Sequence, residues 1–187
     1  MDIATDPIAA TDTPTPAEPP EIRREDYTPF PWIVPETKLH FDLGVAKTTV
    51  TATLTVRRNA KADAAQMIRL NGDGLIAMSV TVDGAPNEDW TMDGADLLLS
   101  LQGEEHEVVI TTEIAPDQNT ALSGLYASNG MLCTQCEAEG FRRITFFPDR
   151  PDVLSTYSVR MEGPQAQFPI LLCNGNNIAS GAISDGT

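Results

Sequence analysis

Between two apolar runs lies Cys133-Thr134-Gln135-Cys136-Glu137-Ala138-Glu139-Gly140, the densest group of polar side chains in the chain. It offers two thiols, a carboxamide and two carboxylates, beside a glycine where the backbone can turn sharply. Cys133 and Cys136 form a CxxC pair, which raises zinc and thiol–disulfide chemistry as readings. A structural zinc needs four ligands, usually two such pairs or a pair with two histidines. The other donors, Cys173, His40 and His106, do not fall at that spacing. A redox pair would open a helix within a βαβ unit, and no such unit is legible. The thiols therefore read as small side chains packed in and beside a strand. A small structural-zinc protein using Cys133, Cys136 and Cys173 is the weakest alternative.

Nucleophilic catalysis has no better support. His40 falls on the strand face opposite the apolar one, and His106 lies in the acidic run Glu104-Glu105-His106-Glu107. Both read as solvated surface histidines rather than general bases. GxSxG, a Gly-rich phosphate loop and HExxH are absent. What remains is an acceptor cluster. Glu137 and Glu139, two apart, share one face of an extended segment, either in water or against a cation.

The elements that must position this cluster read as strands. In the run 48–58, Val50, Ala52, Leu54 and Val56 alternate with threonines, the period of a half-buried strand. The preceding run 38–44 puts Leu39, Phe41 and Leu43 on one face. Order is expected to begin around Phe30, Trp32, Ile33 and Val34. Further short apolar runs at 66–70, 75–82, 97–101, 108–114, 141–147, 153–161, 168–172 and 177–183 also read as strands. Asn71-Gly72-Asp73-Gly74, Asp83-Gly84, Asp93-Gly94 and Gln102-Gly103 supply turns among the earlier runs. No dozen-residue window has helical periodicity with caps. The expected fold is all-β: a saddle-like structure or sandwich of mostly antiparallel curved sheets, incomplete at its C-terminal edge. Residues 177–187 read as a strand turning toward a partner strand that does not follow, so a longer parent polypeptide is expected.

Composition bounds the partners. Lys+Arg 12 against Asp+Glu 27 gives a net charge of −15, which disfavours nucleic acid and anionic membranes. No apolar run approaches the roughly 20 residues that span a bilayer. Residues 1–22, rich in proline, alanine, threonine and acid, read as a disordered tail. The first residues lack the basic-then-apolar pattern of a signal peptide. With three cysteines, an odd number, this leads to an expected cytoplasmic location with reduced thiols.

The run NTALSGLYASNGMLCTQCEAEGFRRITFFPDRPDVLSTYSVRMEG, residues 119–163, closely resembles the N-terminal domain of bacterial aminopeptidase N, a gluzincin zinc metallo-aminopeptidase family. The likeness extends to residues 24–43, to IRLNGD at 68–73 and to FPILLCNGN at 168–176, covering roughly residues 23–180. TQCEAEGFR and FPDRPDV are its most specific segments. The resemblance implies that residues 23–187 are a truncated N-terminal β-domain that packs on a catalytic domain of the same polypeptide. It implies that Gln135 and Glu137 bind substrate. Glu137 would pair with the free α-ammonium of a peptide, and Gln135 would line the pocket for the first side chain. Glu139 would be structural or solvated. HExxH, its downstream glutamate ligand and the GxMEN loop do not occur, so Zn2+ would be bound outside this chain and the fragment alone would be inert. The alternative is a non-catalytic β-domain that binds peptide N-termini or a protein partner.

Overall fold

The alternating run becomes β2 (Thr48–Arg58), with Val50, Ala52, Leu54 and Val56 fully buried. The computed structural model describes residues 21, 23–183 and 187; the expected tail, residues 1–22, lies outside them apart from Glu21. β1 (Trp32–Asp42) precedes β2 and is longer than its alternation suggested. Trp32 and Val34 are buried at even positions, whereas Thr37, Leu39 and Phe41 are buried at odd ones. A bulge between Ile33 and Glu36 shifts the register by one residue and turns both sets inward. Pro35, which has no N–H to give a ladder, sits inside that bulge.

The remaining strands are β3 (Met67–Leu70), β4 (Ile76–Val82), β5 (Ala85–Pro86), β6 (Trp90–Asp93), β7 (Asp96–Ser100), β8 (Glu105–Ile114), β9 (Gly124–Ser128), β10 (Met131–Gln135) and β11 (Thr156–Glu162). Among the described residues the only helical pieces are 3-10 turns at Arg24–Asp26, Pro116–Gln118 and Phe141–Arg143. The all-β expectation holds. A six-stranded sheet has the order β11-β1-β2-β8-β4-β5, a three-stranded sheet the order β3-β7-β6, and β9 and β10 form a hairpin. Pairing is antiparallel except between β1 and β11, which run parallel from Glu36↔Thr156 to Asp42↔Glu162. Leu54 and Ile110 of the large sheet join Ile68, Leu70, Leu97 and Leu99 of the small one in a single buried cluster. That burial holds the two sheets together.

Three expected strands are corrected. Residues 144–147 are buried one after another, and a strand with one wet face cannot bury consecutive side chains. The segment 141–147 instead opens with a 3-10 turn, and its one ladder-type pairing among the described residues is the isolated Asn71↔Phe147 bridge. Segments 168–172 and 177–183 form no strands either. No ladder among the described residues includes either segment. Ile170, Leu172 and Ile178 are consequently exposed.

His106 is also corrected. It lies within β8 rather than in a solvated turn, and its side chain is only 10% exposed. Its ring packs 6.3 Å from that of Trp32, whose other contacts include the Arg58 guanidinium 3.9 Å from the ring centre. Nδ1 of His106 lies 2.8 Å from Asp83 Oδ2, and Asp83 Oδ1 accepts the Glu107 N–H at 2.9 Å. An aromatic neighbour thus drew the ring inward despite its acidic sequence context. His40 is half-exposed as expected and sits 3.3 Å from Glu162.

Two outcomes follow. Leu54→Ala removes a fully buried side chain at the sheet interface and should cost about 2–5 kcal/mol in urea unfolding. The hydrogen bonds from His106 and from the Glu107 N–H hold the Asp83 carboxyl below its ordinary value. A depressed acid stabilises the fold above its unfolded pKa and loses that contribution as pH falls through its lower folded value. Asp83→Asn should therefore shrink the loss of thermal stability measured below about pH 4, near the ordinary aspartate pKa.

Candidate functional site

The acceptor cluster is carried by the β9–β10 hairpin and the turn that follows it. Asn129-Gly130 closes the hairpin with φ 49° and 80°, the paired left-handed conformation that two-residue hairpins need. This dipeptide is a strong hairpin signal, and it could have located both strands in advance. Asn119 pins the entry to β9, its Nδ2 donating to the carbonyls of Ser123 at 2.7 Å and Leu125 at 2.9 Å. Gln135 pairs with Gly124 at the last rung of the hairpin, so the register fixes where β10 ends.

Residues 136–140 then reverse the chain, closed by a 2.8 Å bond from Gly140 N–H to the Cys136 carbonyl. The Glu137–Ala138 peptide within it is cis. Gly140 is required by space. A Cβ there would stand 2.6 Å from the Gln135 carbonyl oxygen, 2.7 Å from Ser123 Oγ and 2.8 Å from Cys136 Cα. The turn is therefore folded hard against the end of its own hairpin.

Gln135, Glu137 and Glu139 are all exposed on this turn. Their surroundings differ. Glu139 Oε2 lies 3.3 Å from Arg142 Nη2, whereas the side chains of Gln135 and Glu137 make no hydrogen bond or ion pair among the described residues. The structure thus brings the two expected site residues to one projecting turn and leaves both acceptors free. Neither lines the hollow of about 550 Å³ beside Arg58 or that of about 290 Å³ beside Asn119. The turn is a projection, so a pocket around it needs walls from elsewhere.

Beneath the turn the side chains are packed. Burial, then the nearby Asp149 charge, pushes the Cys136 thiol up, which keeps it protonated at neutral pH and unsuited to thiolate chemistry. Tyr157 is pushed up by burial first, then by Asp149 and Cys136. Phe141 meets Phe147 edge-on at 5.0 Å and Tyr157 at 5.8 Å. Arg142 is locked onto Asp149, and Asp149 onto Asn71. Sequence reasoning missed this polar network as a unit, since Asn71 and Asp149 are 78 residues apart. All three cysteines are free, and no group of three or more His, Cys, Asp and Glu side chains among the described residues fits a metal. Nor is any helix among them long and apolar enough to cross a membrane.

Comparison with known proteins agrees with this architecture. The chain is 44% identical over 178 residues to aminopeptidase N of Caulobacter vibrioides, covering 94% of this chain and 20% of that protein. It is 41% identical over 163 residues to aminopeptidase N of Escherichia coli, covering 87% of this chain and 18% of that protein. The chain thus spans about a fifth of the length of these curated relatives. Among solved structures, Legionella pneumophila aminopeptidase A in complex with aspartic acid superposes with a TM-score of 0.80 at 27% identity, over 87% of this chain and 19% of that one. An M1 zinc metallopeptidase from Deinococcus radiodurans shares the fold, with a TM-score of 0.62 at 20% identity over 73% of this chain and 33% of its own. Residues 34–187 match the family described as the peptidase M1 N-terminal domain, and the chain belongs to that family.

Proposed function

We propose that residues 23–187 are the substrate-anchoring N-terminal domain of a longer, zinc-dependent aminopeptidase that removes the N-terminal residue from peptides. In this reading Glu137 binds the free α-ammonium of the substrate and Gln135 lines the pocket for its first side chain. One observation carries it. Of the two carboxylates on the projecting turn, Glu139 has Arg142 as an ion-pair partner and Glu137 has none among the described residues, so Glu137 is the one left to meet an incoming cation.

The chemistry of exopeptidase selection suits that arrangement. A carboxylate–ammonium hydrogen bond is worth about 1.5–3 kcal/mol, and more as water is excluded. An internal segment of a peptide, or an acetylated terminus, has no ammonium to give. It would leave Glu137 desolvated and unpaired as the pocket closes, a penalty that rejects it. Orientation of the terminal residue against the reacting centre is the contribution of this domain. The described residues do not fit zinc, so the metal, the groups that hold it and the bond-breaking step belong to the remainder of the polypeptide. The relatives' greater length supports such a remainder, acting with this domain as catalytic partner. A cytoplasmic setting completes the reading, supported by three unpaired thiols. The acidic balance of the chain gives no support for nucleic-acid or membrane partners.

In the full-length protein, Glu137→Gln should lower kcat/KM for free-amine aminoacyl anilides by one to several powers of ten, at about 1.4 kcal/mol per tenfold. Unchanged kinetics would sink the anchor role. Gly140→Ala, whose Cβ would push the turn off the Gln135 carbonyl, should lower the same ratio by about tenfold or more. Reading the coding sequence past Thr187 should reveal an in-frame HExxH. A stop codon there would leave a peptide-terminus-binding domain in place of an enzyme.

A further inference from the structure

Asp149 has no role in the reading above, yet together with Arg142 it ties the projecting turn to the body. Their side chains are 22% and 14% exposed. Arg142 Nε donates to Asp149 Oδ2 at 3.0 Å, and the Arg142 backbone N–H donates to the same oxygen at 3.2 Å. Arg142 Nη2 donates to the Asp149 carbonyl oxygen at 3.0 Å and lies 3.3 Å from Glu139 Oε2. Both ends of this clamp are fastened further in. The Asp149 N–H donates to Asn71 Oδ1 at 3.1 Å, and the Asp73 N–H donates to the Arg142 carbonyl at 2.9 Å. Asn71 follows directly on β3, and its Nδ2 reaches Asp96 Oδ2 at 3.3 Å.

From this geometry we infer that Arg142 and Asp149 are positioning residues for the amine anchor, acting through Glu137 rather than on substrate. The inference rests on Glu137 being that anchor. A largely buried ion pair contributes little net stability compared with an apolar pair of similar volume, because desolvation offsets the attraction. Its specific contribution is geometry. The planar guanidinium fork reads two oxygens of Asp149 in one orientation and also reaches Glu139, which spans the C-terminal arm of the turn and the body. Arg142 also sorts the two carboxylates. By holding Glu139 at 3.3 Å it leaves Glu137 as the carboxylate of the turn with no cationic partner among the described residues.

The test uses the full-length enzyme and four single variants or pairs: Asp149→Asn, Arg142→Lys, Glu137→Gln and Asp149→Asn with Glu137→Gln. Asp149→Asn should lower kcat/KM for free-amine anilides by about tenfold, chiefly through KM, since a misplaced anchor weakens ground and transition states alike. Arg142→Lys should reproduce the loss, because an ammonium keeps the charge but cannot make the fork. On the Glu137→Gln background, Asp149→Asn should have almost no further effect, the signature of two residues acting through one contact. Independent, multiplying losses would overturn the inference. So would an unchanged KM in Asp149→Asn, or loss of the fold in both Asp149→Asn and Arg142→Lys as read by thermal unfolding. A silent Glu137→Gln would instead remove the anchor reading itself, and the positioning role with it.

Discussion

Everything on the functional side of this domain depends on the burial of residues 144–147. Ile144, Thr145, Phe146 and Phe147 enter the core one after another, a single 3-10 turn beyond the reversal at residues 136–140. A chain can project unpartnered polar side chains only if its flanks are anchored firmly enough to offset the entropy of holding them. Here one flank is the last rung of the β9–β10 hairpin and the other is this buried stretch. Burying consecutive side chains costs the segment its strand geometry. In exchange, a 3-10 turn and a single bridge to Asn71 bring Arg142 and Asp149 to the point where they grip.

The electrostatics follow a similar logic. The chain carries a large excess of acid, yet several carboxylates near the turn have a cationic partner: Asp149 and Glu139 share Arg142, Asp73 has Arg143, and Asp96 shares Arg69. Glu137 stands apart from that pattern. In water an exposed carboxylate costs nothing to maintain, so the domain tolerates it. Excluding water from any such carboxylate lowers the effective dielectric, which strengthens both its attraction to a cation and the cost of leaving it unpaired.

Much of the scaffold is legible in the sequence. β2 and its buried set were read residue by residue, because alternation with β-branched residues has one geometric meaning. β1 was only half legible: the bulge at Pro35 shifts its phase, and a periodic pattern read in one register stops there. The hairpin under the site was missed although Asn129-Gly130 signals it. Apolar content alone misled at 141–147, 168–172 and 177–183, where runs that looked like strands lack a paired edge. His106 was misread because its acidic neighbours along the chain say nothing about Trp32, which packs against it across the fold.

Local sequence is enough to specify the β character, the central strands, the acidic balance and the cluster from Cys133 to Glu139. These are properties of neighbours along the chain, and local sterics and the period of two express them directly. Which of the two glutamates has a partner, and that a clamp from Asn71 through Asp149 to Arg142 holds the turn that bears them, emerge only in the folded chain. Those outcomes depend on groups dozens of residues apart meeting in space. No local pattern encodes such a meeting, because the free energy that selects it arises only when the core closes.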